Sequence, residues 1–143
     1  MKVKDLLRHS DREVITIAPG ATIAEAMSRL ISHQISCLPV VDEESNVVGI
    51  ISDRDIFHEA FNNHHNYRDA LVGERMTTDV IIGVPDDQIS YIAGIMTNNR
   101  IRHVPIVEEG KLIGLVSTGD VVKTQMDNLQ TENRYLRQYI MQG

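Results

Sequence analysis

Two short strings set polar groups directly after an apolar run: Gly49-Ile50-Ile51-Ser52-Asp53-Arg54-Asp55 and Gly114-Leu115-Val116-Ser117-Thr118-Gly119-Asp120. In each, a serine is followed three residues later by an aspartate. That spacing closes the first turn of a helix: the serine oxygen accepts from a backbone N–H, and the carboxylate reaches back to the serine's own. The same atoms support a second use. A carboxylate is acceptor-only and takes both hydroxyls of a ribose, and a helix start offers unpaired N–H groups and partial positive charge to an anion. One such string reads as a cap. Two, at a constant offset of 65 and each led by glycine, favour a shared ligand role for Ser52, Asp55, Ser117 and Asp120. Gly49 and Gly114 would let the backbone pass close to its surroundings.

The elements that must position these strings are themselves repeated. Val14-Ile15-Thr16-Ile17-Ala18-Pro19 returns 66 residues later as Val80-Ile81-Ile82-Gly83-Val84-Pro85, and Ile35-Ser36-Cys37-Leu38-Pro39-Val40-Val41 returns as Ile101-Arg102-His103-Val104-Pro105-Ile106-Val107. The offset then falls to 65, because DEESNVVG is answered by the shorter EEGKLIG, a change that a surface hairpin tolerates. Each copy predicts a β-rich run ending at proline, then an amphipathic helix over 22–33 or 88–99. Ile23, Ala26, Met27 and Leu30 recur at helical spacing there, as do Ile89, Ile92, Ala93 and Met96. A hairpin follows, 36–41 with 47–51 and 102–107 with 112–116, and a second helix opens at Ser52 or Ser117. The fold class is α/β (α+β), two tandem βαββα units. One unit alone buries little apolar surface, so the pair is expected to pack together.

Composition narrows the function. A net charge of −6 opposes general affinity for nucleic acid, which rests on clustered Lys and Arg. No apolar run approaches the roughly 20 residues that span a bilayer, and the first residues lack a signal peptide's apolar stretch, so a cytosolic protein is expected. Cys37, the single cysteine, reads as a small buried hydrophobe rather than a nucleophile. His58, His64 and His65 match no zinc spacing and read as part of a polar linker. No metal site, catalytic triad or P-loop follows from the spacings.

The paired strings ISCLPVV with GIISDRD, and IRHVPIV with GLVSTGD, resemble the CBS domain, whose tandem pair is called a Bateman module. The resemblance covers residues 1 to about 125. It implies a pseudo-twofold pair with CBS domain 1 at 1–62, a linker at 63–70 and CBS domain 2 at 71–125; the tail over 126–143 lies outside the resemblance and reads as a C-terminal helix. The resemblance also implies two clefts between the copies for AMP, ADP, ATP, S-adenosylmethionine, NAD or a similar adenosyl ligand, with no cofactor required and usually without catalysis. In the family pattern each cleft takes its Asp from one copy and its base-lining residues from the other. One cleft then combines Ser52 and Asp55 with Ile101, Arg102, His103 and Pro105; the other combines Ser117 and Asp120 with Ile35, Ser36, Cys37 and Pro39. Ile35 and Ile101 serve equally as a face for adenine or as plain core.

The clefts differ in charge. Arg102 matches phosphate oxygens with its fork, and His103 would join it if an anion raised its pKa; the alternative for Arg102 is a solvated surface charge. Ser36 and Cys37 offer no cation, so Lys4, Arg8 or Arg12 would have to fold back to supply one. The function expected is a regulatory sensor that transmits ligand occupancy to a partner; the alternative is a constitutive dimerisation scaffold with degenerate clefts. An enzyme is not expected. In the tail, Val122, Met126, Leu129, Asn133, Leu136 and Ile140 form a heptad-spaced stripe, pointing to a homodimer, with packing on its own module as the alternative.

Overall fold

The computed structural model describes residues 1–142. Helix α1 (Val3–Arg8) is followed by α2 (Ile23–His33), the hairpin β1 (Cys37–Val41) and β2 (Val47–Ser52), and α3 (Asp53–Asn62). A short helix, α4 (Val72–Arg75), opens the second half, then α5 (Ile89–Asn99), the hairpin β3 (His103–Glu108) and β4 (Lys111–Ser117), and α6 (Thr118–Gln142). The mixed helix and strand fold is the one expected.

Local sequence accounts for these elements. Thr22 caps α2, its hydroxyl oxygen accepting from the Glu25 N–H at 3.2 Å, while Ile23, Ala26 and Leu30 lie buried along one face. In α5 the buried face is Ile89, Ile92 and Met96. Both helices stop at a left-handed residue, Gln34 (φ 54°) and Arg100 (φ 53°). The hairpins carry the same irregularity, a register shift after Val40 and after Ile106. They meet near their turns, where Leu112 N–H donates to Ser45 O at 3.1 Å and Lys111 reaches Asn46 Oδ1 at 3.3 Å.

The expected first strand of each copy is reduced to one parallel bridge, Ile17 with Val40 and Gly83 with Ile106. Of this segment, Ile17 and Gly83 bond to the hairpin: their N–H groups donate to the Pro39 and Pro105 carbonyls at 3.1 and 2.9 Å, and their carbonyls accept from Val41 and Val107 N–H at 3.0 and 2.9 Å. Val14 and Ile15 run past the ladder and line a cavity instead.

The two cores do not follow the sequence repeat. Val72 is fully buried in the first core with Ile17, Ile23, Leu38 and Ile51, and Val3 is fully buried in the second with Ile92, Val104, Ile106 and Val116. The backbone explains this crossing. Ala21 O accepts from Val72 N–H, and Asp87 O accepts from Val3 N–H. Ile23 N–H and Ile89 N–H donate to Ala70 O and Met1 O. Each unit's core is therefore completed by a short helix that precedes the other unit in the chain. The tail is likewise no separate element: α6 runs unbroken from Thr118 through the expected boundary at 126. Gly143 lies outside the described residues.

Candidate functional site

Both Ser-x-x-Asp strings are reciprocal caps. Asp55 N–H donates to Ser52 Oγ at 3.2 Å and Ser52 N–H to Asp55 Oδ2 at 3.0 Å; Asp120 N–H donates to Ser117 Oγ at 3.1 Å and Ser117 N–H to Asp120 Oδ2 at 2.9 Å. The cap uses one carboxylate oxygen. It leaves Oδ1 to something else, so capping and ligand binding do not compete for the same atom. The Ser36 and Arg102 carbonyls accept from Asp53 N–H and Thr118 N–H, both at 2.9 Å, tying the segment before each hairpin to the start of the helix after it.

Around Asp120 the chain encloses a cavity of about 310 Å³, inside the range for small-ligand sites. Ser117 and Asp120 line it from the second unit; Ile35 and Cys37 line it from the first, together with Val14 and Ile15. This joins the two copies as expected for the Asp120 cleft. Its floor is Gly114, packed so closely against Leu7 that a Cβ there would lie 2.6 Å from Leu7 Cδ2. A second space of about 490 Å³, lined by His9, Lys123, Thr124 and Asp127, shares Leu6, Ser10, Arg12 and Asp120 with the first.

Several expected site residues stand elsewhere. His103 lines the Asp120 cavity, not the Asp55 side. Arg102 is exposed, with Nη2 3.4 Å from Asp53 Oδ1. The reason is geometric: successive side chains of an extended segment point to opposite sides, and here Arg102 turns outward to Asp53 while His103 turns into the cavity. The same alternation puts Ile35 and Cys37 in the cavity and leaves Ser36 out of its lining. Pro39 and Pro105 are buried in their strands and contribute carbonyls to the fold rather than surface to a ligand. Ile101 packs against the second core, whereas Ile35 is 37% exposed at the cavity wall.

Burial, with Arg102 opposing protonation as well, pushes the His103 imidazole below its ordinary pKa, so it faces the cavity as a neutral ring. A second phosphate cation at this position depends on an anion raising that pKa. Burial pushes the Cys37 thiol up to about 12, which removes it as a nucleophile. Of the three basic candidates from the N-terminal segment, Arg12 reaches the cavity. Lys4 instead pairs with Asp86 at 3.0 Å.

On the first string, Thr77 takes the place before the carboxylate, its hydroxyl 3.4 Å from Asp55 Oδ1. Thr77 also pairs with Ile50 by two backbone hydrogen bonds, and Met76 packs on Gly49. Thr77 was not singled out from the sequence, because nothing in a lone Thr-Thr pair signals a neighbour 22 residues away. Arg12, Ser10 and Leu7 were equally hidden in the N-terminal segment. Among the described residues no group of acidic, His and Cys side chains could hold a metal. No described helix is long and apolar enough to cross a membrane.

Comparison with protein families matches the CBS domain twice, at residues 3–62 and 72–127. The chain belongs to the CBS-domain family. It is 35% identical over 118 residues to the CBS domain-containing protein YhcV of Bacillus subtilis, a match spanning 81% of each chain. Its fold is similar to a CBS-domain containing protein of Agrobacterium tumefaciens, with a TM-score of 0.82 and 35% identity over 87% of this chain and 99% of that one. It is also similar to the CBS-domain pair of protein MJ0100, solved with 5′-methylthioadenosine and S-adenosyl-L-methionine, at TM-score 0.77 and 30% identity over 90% and 98% of the two chains. CBSX2, solved with AMP, matches at TM-score 0.78 and 25% identity over 88% and 96%. CBS pairs similar to this chain thus bind adenosyl ligands.

Proposed function

We propose that this CBS pair is a cytoplasmic regulatory sensor that binds an adenosyl ligand in the cavity at Asp120 and passes occupancy to a protein it regulates. The observation that carries the reading is Asp120 Oδ1, which has no hydrogen-bond partner among the described residues and belongs to a residue lining a cavity shared by both units. Ribose hydroxyls would donate to that oxygen, with Ser117 beside it. Adenine would lie against Ile35, with Cys37 and the neutral His103 at its edge. The 5′ substituent would extend toward Arg12 and the adjoining space at Lys123. AMP, ADP, ATP, S-adenosylmethionine and NAD share the adenosine part, and the 5′ groups decide among them.

The reading includes no catalytic step. Transmission follows from the lining: one ligand touches both units and the N-terminal segment, so it favours whichever arrangement holds them together. The second reading, a degenerate scaffold, is favoured only on the first string, where the Thr77 hydroxyl already meets Asp55. A second copy of the chain is the partner proposed here, because Ile31, Phe57 and Phe61 are 73–75% exposed on α2 and α3. With a net charge of −6, nucleic acid is not a proposed partner.

The test is a thermal-shift series of the full chain with AMP, ADP, ATP, S-adenosylmethionine, NAD and adenosine. A ligand specific to the folded state at a hundred times its Kd stabilises by about 2.7 kcal/mol, a shift of several degrees. Absence of a shift with every compound at millimolar concentration would reject the sensor.

A further inference from the structure

Helix α6 carries an apolar stripe that its own subunit leaves uncovered. Val122, Met126, Leu129, Leu136 and Ile140 are 47–74% exposed along one unbroken helix, so the alternative of a tail laid on its own module does not hold. With Asn133 the stripe is spaced 4, 3, 4, 3, 4, a heptad seam. We propose that α6 pairs with α6 of a second copy as a parallel, in-register two-stranded coiled coil. This rests on the homodimer proposed above, since a seam under three heptads is marginal on its own.

The flanking charges choose the orientation. In a parallel pair, a residue just before a seam position faces the residue five further on in the other helix. Glu132 then meets Arg137 of the second copy, twice by symmetry, and Gln125 meets Gln130. Asn133 faces Asn133, where two amides can satisfy each other, the arrangement that fixes register in two-stranded coils.

The antiparallel alignment that best overlays the stripe sets 122 against 140, 126 against 136 and 129 against 133. It fails on three counts. Glu132 would face Glu132, Lys123 would face Arg137 at both ends, and Asn133 would be buried against Leu129 with its amide unpaired. Every flanking pair that is attractive or neutral in one orientation is repulsive or no better in the other. The parallel geometry places both modules at the same end of the coil.

Met126→Cys and Leu136→Cys, each in the full chain, test this by disulfide trapping. The native thiol does not compete, because Cys37 is buried and titrates near 12. In the parallel coil each variant lies opposite itself, within the 4.4–6.8 Å Cα separation a disulfide needs, so each cross-links alone under mild oxidation and a mixture yields no 126–136 heterodimer. Cross-linking only in the mixture would overturn the orientation. No cross-linking of either variant, while the wild-type chain sediments as a dimer, would overturn the tail pairing and leave the homodimer standing. Arg137→Glu adds an independent sign: it weakens the parallel dimer roughly fivefold by turning two attractive pairs repulsive, and would tighten an antiparallel one. AMP calorimetry on the cross-linked dimer reports the sensor reading separately, because residues 126 and 136 line neither cavity.

Discussion

The Thr77 hydroxyl stands 3.4 Å from Oδ1 of Asp55, the carboxylate oxygen that its cap leaves over. Asp120, the counterpart one repeat later, has the same cap but keeps Oδ1 without a partner among the described residues, beside a cavity of about 310 Å³. The difference traces to the short helices. After α4 the chain becomes extended and Thr77 pairs with Ile50, whereas after α1 it turns once more, His9 and Ser10 N–H donating to Leu6 and Leu7 carbonyls, before passing the cavity. A duplicated sequence therefore carries two unequal acids.

Asp120→Ala is expected to weaken AMP binding at least tenfold, because hydrogen bonds to a charged group contribute about 1.5–3 kcal/mol each. Asp55→Ala is expected to remove a separate, weaker event, and Thr77→Val to strengthen that event by freeing Oδ1. Each alanine variant also loses a cap, costing about 1 kcal/mol of stability without unfolding the chain. Isothermal calorimetry resolves the two events. Wild-type affinity in both aspartate variants would remove these residues from the site.

Arg12 is the basic side chain at the Asp120 cavity, which Glu13 also lines, so Arg12→Ala is expected to cut the preference for AMP over adenosine by about tenfold through loss of one charge-assisted contact. Arg102→Ala is expected to leave the preference at this cavity nearly unchanged, its guanidinium being engaged by Asp53 on the exposed side. Competition binding with the two ligands separates these roles. The reverse ranking of the two variants would restore Arg102 as the phosphate contact.

The repeat, the helix faces, the hairpins and both caps are readable from periodicity and offset, since each depends on residues close in the chain. What escaped is what crosses between copies. Val3 and Leu7 match Val72 and Met76 at an offset of 69, not 66, so comparison at the main offset passes over the short helices that complete each core. The family pattern puts Arg102 and His103 in one cleft; as neighbours on an extended backbone they turn to opposite sides. Ile35 and Ile101 are equivalent in the repeat, yet only Ile35 reaches the cavity wall, a difference of tertiary packing that no local pattern encodes.

His103 supplies a pH dependence whose sign is fixed by its surroundings. Burial and then Arg102 lower its pKa, outweighing the opposite pull of Asp120 and Asp53. The unfolded chain therefore binds this proton more readily than the folded one near the ordinary value of about 6.5. The contribution is fully present above that value and is lost as pH falls through the lower folded pKa. Wild-type Tm is expected to drop between pH 7 and pH 5 by more than that of His103→Gln, which removes the titrating group. Parallel Tm curves for the two proteins would contradict the assignment.

Glu59 is the buried acid of the first unit, its side chain only 7% exposed, with Arg75 Nε 2.9 Å from Oε2 and Asn63 Nδ2 3.1 Å from Oε1. This pair fastens α4, and with it the segment leading to Thr77, onto α3. Removing Arg75 leaves a buried carboxylate with one neutral partner, and breaking such a pair from one side is strongly destabilising because the remaining charge is not resolvated. Arg75→Met is expected to cost about 2 kcal/mol, less than a fully enclosed pair because Asn63 stays and Arg75 is 42% exposed. Glu59→Gln/Arg75→Met removes both charges and is expected to recover most of that loss. Urea unfolding of the four proteins in a double-mutant cycle gives the coupling directly. A double variant as unstable as Arg75→Met alone would show that packing of the arginine stem, not its charge, holds α4 in place.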